Sequence, residues 1–316
     1  MTKVTFQVNV SPLDYPRVKL LLPHQLGVFA DQCDEILVVI DLRKSKGRKS
    51  SGEVWDKNQV LIYDYIEELK HNAFPGLRLV EVDYSDRVRK AMSEKIMTRG
   101  TIPDKDFSGG PYYSYFYGLH AAINDLVFHI DADMMFGGGS GTWIKEAVDI
   151  LNQDDTIFSC SPLAGPPHDD QERLSSFYRK GFNPTGTYDL PFSYLYQHFT
   201  TRAFLLSKRK LYKSIRVERP NLDHMLKAYI KGTPPFRYPE GTISDMLKRN
   251  NWYRVGFLGQ SPGLWSLHPS GDPSFKELLP KIIPLIEKGD FPESQKGAGD
   301  VVPEFEDLAR SSNVSL

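Results

Sequence analysis

The segment Leu126-Val-Phe-His-Ile-Asp131-Ala-Asp133-Met-Met-Phe, followed directly by Gly137-Gly-Gly139, carries the strongest structural signal in the chain. Leu126 to Ile130 is a nearly continuous apolar run, which is typical of a parallel strand buried on both faces. Asp131 and Asp133 come where this strand should end, and side chains at i and i+2 of an extended chain point to the same side. Two neighbouring carboxylates at the edge of a core need a positive partner, and a divalent cation that prefers oxygen ligands fits that need.

The position of the two aspartates favours a ligand site. In open α/β sheets, ligands bind at the carboxyl ends of the strands, which is where Asp131 and Asp133 fall. The alternative is that they cap the following helix or pair with arginines, which is the commoner role of an isolated Asp-x-Asp pair. The apolar strand before the pair and the glycines after it favour the ligand site over this alternative.

Composition and charge limit the classes of protein to consider. The chain has 316 residues, a formal net charge of -1 and 40% hydrophobic residues, so it can bury a sizeable core and has no basic surplus for binding nucleic acid. Cys33 and Cys160 are its only cysteines, too few for a disulfide scaffold or a zinc cluster. Residues 1–10 lack the pattern of a signal peptide and no stretch reaches the length of a transmembrane segment, so we expect a cytoplasmic protein. Attachment to a membrane surface and homo-oligomerisation stay open.

The order of apolar segments predicts the fold class. Strands alternate with helical segments through the first half, which indicates a mostly parallel, doubly wound (Rossmann-like) α/β sheet. The second half is more mixed. From residue 291 to residue 316 the chain is rich in Gly, Pro, Ser and Glu, and we expect a flexible C-terminal tail there, after a single domain over residues 1–290.

Taken together, these features resemble the GT-A glycosyltransferases, which use a nucleoside-diphosphate sugar and hold Mn²⁺ or Mg²⁺ at an Asp-x-Asp (DxD) strand end. The resemblance covers residues 4–268 and is strongest at Val127-Phe-His-Ile-Asp131-Ala-Asp133. It implies a GT-A type sheet, with a nucleotide-sugar-binding half over residues 1–135 and a mixed acceptor-binding half over residues 136–290. It also implies a UDP- or GDP-sugar donor, a saccharide or small molecule with a free hydroxyl group as acceptor, and hexosyl transfer.

The resemblance assigns roles to individual residues. Many of these enzymes supply a further metal ligand from a histidine near the end of the domain, and His268 in Trp265-Ser-Leu-His268-Pro looks like that residue. The implied metal ligands are therefore Asp131, Asp133 and His268. An acid at the end of the second strand commonly contacts the nucleobase or ribose, and Asp41 stands there. The residues implied at the donor are Val10, Ser11, Asp41, Arg43, Gly110, Asp131 and Ala132. Arg43 opens a basic segment, residues 43–49, that either closes over phosphates or is simply solvated.

The resemblance also points to a catalytic base. An acidic residue opens a helix beside the acceptor in the family, and Pro239-Glu240-Gly-Thr-Ile-Ser-Asp245 is similar in spacing. Gly241 stands where the family's Glu-Asp motif has its second acid. Glu240 is therefore the first candidate and Asp245 the second. A base at Glu240 would accept the proton of the incoming hydroxyl group and invert the anomeric carbon.

Each assigned residue has a structural alternative. Asp41 could cap a turn, Glu240 could stabilise a helix N-terminus, and His268 could be a structural residue. His129 lies inside the apolar strand, where we expect a hydrogen-bonded core residue.

Two other functions stay open. Mg²⁺-dependent phosphatases of the haloacid-dehalogenase type also place Asp-x-Asp after an apolar strand, but near the start of the catalytic domain, whereas 130 residues precede Asp131 here. A non-catalytic sugar-binding domain is the third interpretation. It predicts affinity for carbohydrate without affinity for nucleotides.

Overall fold

A computed structural model describes residues 2–44, 52–168, 183–217, 222–270 and 272–312. Within these residues the strands are β1 (Val4–Val10), β2 (Glu35–Ile40), β3 (Leu77–Glu81), β4 (Leu126–Asp131), β5 (Met135–Gly137), β6 (Ile157–Ala164), β7 (Gly186–Thr187), β8 (Ser193–Tyr196), β9 (Ala203–Ser207), β10 (Tyr253–Phe257) and β11 (Trp265–Leu267). The α-helices there are α1 (Tyr15–Phe29), α2 (Gly52–Asn72), α3 (Asp86–Ile96), α4 (Tyr113–Ala121), α5 (Trp143–Gln153), α6 (Lys208–Ser214), α7 (Leu222–Lys231), α8 (Pro239–Asn250), α9 (Leu279–Lys288) and α10 (Pro303–Ser311).

The strands form one sheet in the order β3-β2-β1-β4-β9-β6-β10-β8-β7, and β11 pairs with both β5 and β6 beside this path. The four strands β3, β2, β1 and β4 run parallel to one another. Strand β9 then enters antiparallel between β4 and β6. The predicted class, an α/β fold with a parallel first half and a mixed second half, is therefore confirmed.

Helices cover both faces of the sheet, which explains why β4 is apolar on both sides. Phe128 and Ile130 pack into one cluster with residues of α1, α2 and α5. Val127 packs into a second cluster with residues of α3, α4 and α8. Because alternate side chains of a strand point to opposite faces, a strand covered on both faces has an almost continuous apolar sequence.

The C-terminal segment differs from the prediction of a flexible tail from residue 291. Helix α10 packs against α9, and its Phe305 and Ala309 are fully buried in a third apolar cluster. The prediction was wrong because it relied on Gly, Pro and Ser content, whereas apolar residues at helical spacing give α10 one face that the core can bury. Residues 313–316 lie outside the described part of the chain. None of the described helices combines the length and apolar character that crossing a bilayer requires.

Candidate active site

A cavity of about 350 Å³ lies at the carboxyl ends of β1, β2 and β4. The topology explains its position, because parallel neighbours end at the same edge of a sheet. Eight of the eleven residues singled out in the sequence line it: Val10, Ser11, Asp41, Arg43, Asp131, Ala132, Asp133 and His268. Gly110, Glu240 and Asp245 do not line it. The remainder of the basic segment, residues 45–49, lies outside the described residues.

Asp131 is the last residue of β4 and is held by its backbone and by His129. Its N–H donates a hydrogen bond to the carbonyl oxygen of Arg202 (2.8 Å), and its Oδ1 lies 3.5 Å from His129 Nε2. Burial raises the pKa of the Asp131 carboxyl group, and the contact with His129 partly offsets this effect. A cation in the cavity would therefore favour the charged form of Asp131.

His129 is a buried, hydrogen-bonded residue, as the sequence predicted. Its Nδ1 lies 2.6 Å from Gln7 Oε1, and Gln7 Nε2 in turn donates to Asn9 Oδ1 at 2.6 Å. The ring is fully buried and contacts the rings of Phe204 and Tyr115. His129 therefore supports Asp131 from within the sheet and does not line the cavity itself.

Asp133 and His268 face each other across the cavity. Asp133 Oδ2 lies 3.7 Å from His268 Nε2 and 3.6 Å from Arg17 Nη1. A carboxylate oxygen and an imidazole nitrogen at this separation can both reach one cation. No group of three or more His, Cys, Asp and Glu side chains in the described ranges is arranged to hold a metal ion by itself. The donor set therefore suits a cation that takes its other ligands from water and phosphate, as Mg²⁺ usually does.

The pairing of β11 with β5 brings His268 to Asp133. Strand β5 follows Asp133 almost at once, and Trp265 of β11 pairs with Gly137 of β5. A Cβ atom at Gly137 would lie only 2.1 Å from Trp265 Cζ2, so the ring occupies the space that any side chain would need. Only glycine allows this close pairing, which places His268 beside Asp133.

Asp41 belongs to a polar cluster at the β2 end of the cavity. Both of its carboxylate oxygens accept from the hydroxyl group of Tyr84 (3.0 Å each), and Oδ1 also accepts from the backbone N–H of Arg43 (3.1 Å). The Arg43 guanidinium stacks over the Tyr84 ring at 4.6 Å and pairs with Asp104 at 2.9 Å. Burial, and then the Asp41 charge, raise the pKa of Tyr84. Tyr84 therefore remains a hydrogen-bond donor to Asp41.

Gly110 supports the cavity wall from behind. Its N–H donates to Asp106 Oδ1 (3.0 Å), and a Cβ atom there would lie 2.6 Å from Asp106 Oδ2. The next residue, Pro111, lines the cavity. Gly110 is thus placed to shape a turn, and its predicted contact with the donor stays a prediction.

Glu240 and Asp245 lie apart on α8. Glu240 is the second residue of the helix, and its Oε1 lies 3.4 Å from His198 Nε2. Asp245 forms a close ion pair with Arg237. The same arginine explains Gly241, because a Cβ atom at that position would lie 2.4 Å from Arg237 Nε. A second acid at residue 241 would therefore displace Arg237 from Asp245.

Tyr115 is a buried residue of the cavity wall. Burial raises the pKa of its phenol, and the charges of Asp131 and Glu240 add to the effect. The charges of both carboxylates therefore act on the phenol of Tyr115, while Glu240 itself does not line the cavity.

The sequence patterns did not identify several residues that the structure places at the site. Asp14 lines the cavity, and its carboxylate accepts from the N–H and the hydroxyl group of Ser11, both at 2.8 Å. Ser11 and Asp14 have the spacing of a helix cap, which the sequence displays. Arg17 follows one turn later. Asp300, which lies 3.6 Å from His268 Nδ1, gave no signal because it falls in the segment assigned to the tail.

Comparisons with known proteins found similarity at the level of solved structures. No family model and no curated protein matches the sequence. The mannosyltransferase PcManGT from Pyrobaculum calidifontis, solved with GDP-Man and Mn²⁺, is 13% identical to this chain with a TM-score of 0.44. The match covers 98% of this chain and 68% of the PcManGT chain. Residues 1–349 of TarS from S. aureus are 12% identical with a TM-score of 0.40, covering 93% and 68%.

A third structure, glucosyl-3-phosphoglycerate synthase from Mycobacterium tuberculosis with Mn²⁺, UDP and phosphoglyceric acid, is 12% identical with a TM-score of 0.27. The match covers 51% of this chain and spans only 43% of the synthase. All three TM-scores lie below 0.5. Function is therefore inferred from the geometry of the cavity.

Proposed function

We propose that this protein is a metal-dependent glycosyltransferase that moves a sugar, expected to be a hexose, from a nucleoside-diphosphate sugar to an acceptor hydroxyl group. One observation carries the proposal. Asp41, the Asp131/Asp133 pair and His268 come from three distant parts of the sequence, yet all four residues line one cavity at the carboxyl ends of parallel strands. Ligands of α/β sheets bind at this edge, and pyrophosphate with a divalent cation matches these side chains.

Asp133 and His268 would hold Mn²⁺ or Mg²⁺, with Asp131 contributing through water. When bound, the cation offsets the negative charge that develops on the departing diphosphate. Arg17, 3.6 Å from Asp133, adds a positive charge at the same side of the cavity. Asp41 and Arg43 would hold the nucleobase or ribose of a UDP- or GDP-sugar at the β2 end.

Glu240 is proposed as the base that accepts the proton of the acceptor hydroxyl group. It lies at the start of α8 with its Oε1 3.4 Å from His198 Nε2, and its charge acts on the phenol of Tyr115, a residue of the cavity wall. A well-placed general base contributes a factor of about 10²–10⁴ to the rate. Attack by a deprotonated acceptor on the face opposite the diphosphate would invert the anomeric carbon. Asp245 is the weaker candidate because it is paired with Arg237.

The test is a nucleotide-binding panel. Wild-type protein is titrated with UDP, GDP and TDP, with and without Mn²⁺, by thermal shift and then by calorimetry. Asp133→Asn should lose the Mn²⁺-dependent part of the affinity. Asp149→Asn is the matched control, because Asp149 is a half-exposed carboxylate paired with Lys145 on α5, away from the cavity. A wild-type protein that binds none of these nucleotides with Mn²⁺, or Asp133→Asn with unchanged Mn²⁺-supported affinity, would contradict the proposal.

An aryl-phosphate hydrolysis assay and a carbohydrate-binding titration, run beside the nucleotide panel, distinguish the two alternatives. A haloacid-dehalogenase-like phosphatase would hydrolyse an aryl phosphate with Mg²⁺ and ignore nucleotide sugars. A sugar-binding domain would bind carbohydrate without any nucleotide.

A further inference from the structure

Residues 295–302, which we call the C-terminal strap, hold the backbone of His268. The N–H of His268 donates to the carbonyl oxygen of Gly299, and the N–H of Val301 donates to the carbonyl oxygen of His268, both at 2.9 Å. These bonds form a parallel bridge between His268 and Asp300. The strap thus forms one side of the candidate active site.

A buried glutamine fixes the shape of the strap. Gln295 is fully buried, and its Nε2 donates to the carbonyl oxygens of Ala298 (2.9 Å) and Asp300 (3.1 Å). Its Oε1 accepts from the N–H of Val302 at 3.1 Å. Because one buried side chain makes hydrogen bonds to three backbone groups of the strap, the backbone at Asp300 is held in a fixed conformation.

The Asp300 carboxylate lies between a histidine and an arginine. Its Oδ1 lies 3.6 Å from His268 Nδ1 and accepts from Arg202 Nη1 at 2.6 Å. The carbonyl oxygen of Arg202 accepts from the N–H of Asp131 at 2.8 Å. His268 Nε2 in turn faces Asp133. Asp300 therefore closes a ring of contacts that links both aspartates of the Asp-x-Asp pair to His268.

We infer that Asp300 is a positioning residue that orients His268 so that Nε2 is presented to a divalent cation beside Asp133. The inference rests on the proposed function, since it concerns how this chain prepares His268 for the cation. The physical reason lies in the two ring nitrogens of histidine. A carboxylate beside Nδ1 favours the tautomer with its proton there, which leaves the lone pair of Nε2 for a ligand. At 3.6 Å the interaction is electrostatic, because this distance exceeds that of a hydrogen bond.

The test measures Mn²⁺ binding directly, without turnover. Mn²⁺ affinity is measured by calorimetry, and coordination by imidazole is followed by the ¹⁴N coupling in pulsed EPR of bound Mn²⁺. Asp300→Ala should weaken Mn²⁺ affinity by about 10–100-fold, the usual effect of losing such a partner, and reduce the ¹⁴N coupling. Asp300→Asn, which keeps an oxygen near Nδ1, should lie between Asp300→Ala and the wild type. Asp290→Ala is the matched control, because Asp290 is also exposed but lies after α9, away from the cavity.

A double-mutant cycle separates positioning from direct contact. In a His268→Ala background, Asp300→Ala should cause no further loss of Mn²⁺ affinity, because Asp300 acts only through His268. An equal further loss in that background would overturn the inference. Circular dichroism and melting curves confirm that each variant is folded, and Asp300 is half exposed, so its replacement leaves the core intact.

The outcomes distinguish the inference from the proposed function. A wild-type protein that binds no Mn²⁺, or binds it equally well after Asp133→Asn, overturns both. A wild-type protein with Asp133-dependent Mn²⁺ binding and ¹⁴N coupling, together with an Asp300→Ala variant that matches it in both, overturns the positioning role alone.

Discussion

Gly137→Ala should weaken both the packing of β11 and cation binding at His268. A Cβ atom at this position would lie 2.1 Å from Trp265 Cζ2 and 2.4 Å from Cη2, well inside van der Waals contact. Trp265 is 3% exposed and packs edge-on against Phe291, with ring centroids 5.5 Å apart. The indole therefore has no free space into which it can retreat, and β11 must shift.

The size of the effect follows from the cost of overpacking a core, about 1–3 kcal/mol. The unfolding entropy is about 2.1 cal/mol/K per residue, taken over the whole chain. Dividing the energy cost by this entropy gives a fall in melting temperature of about 1.5–4.5 °C. Alanine also restricts the unfolded chain, which stabilises the protein by about 0.4–1 kcal/mol. Gly141→Ala is the matched control. It has only this stabilising effect, because no atom lies within 4 Å of its Cβ position and its φ is not positive.

The assay compares Gly137→Ala with Gly141→Ala in melting temperature and in Mn²⁺ affinity. Gly137→Ala should melt lower and bind Mn²⁺ more weakly, because His268 follows β11 directly and moves with it. Trp265→Phe added to Gly137→Ala should recover part of both losses, since phenylalanine lacks the indole atoms that clash. Identical melting temperatures and Mn²⁺ affinities for the two alanine variants would refute the packing argument.

Three further predictions concern other sites. Glu240→Gln should abolish transfer while nucleotide binding persists, and Asp245→Asn should keep turnover in the same assay; undiminished turnover of Glu240→Gln would exclude it as the base. Burial raises the pKa of Tyr65 to about 12, so the stability this residue contributes is complete below about pH 10 and is lost as the pH rises towards 12. Tyr65→Phe should therefore flatten the alkaline fall in melting temperature; an unchanged slope would contradict this. Burial also raises the pKa of Cys33 to about 12, so iodoacetamide at pH 8 should label Cys33 only in denaturant, as mass spectrometry would show.

The parallel first half of the sheet and the acids that follow its strands were predictable, because both depend on patterns within short segments of the sequence. The apolar run of β4 indicates a strand covered on both faces, and the acids directly after it belong to its carboxyl end. Asp41 follows β2 in the same way. Parallel strands have their carboxyl ends at one edge of the sheet, so Asp41 and Asp131 were expected at that edge, and both line the cavity there.

The assignment of the base could not be completed from the sequence. Glu240 and Asp245 have similar local patterns, and the difference between them depends on Arg237, which pairs with Asp245 and fills the space beside Gly241. Ion pairs of this kind depend on rotamers and on neighbouring loops. Spacing along a helix gives no information about them.

The sequence by itself determined the α/β class, the strand that ends in Asp131, and the acids at the edge of the sheet, because strand period and burial are properties of short segments. Only the tertiary structure decided that Trp265 closes over Gly137, that His268 therefore meets Asp133, and that Asp300 stands behind His268. The first two contacts join segments more than a hundred residues apart, and the third depends on the strap that the buried side chain of Gln295 holds in place. The composition of the sequence gives no information about either kind of contact.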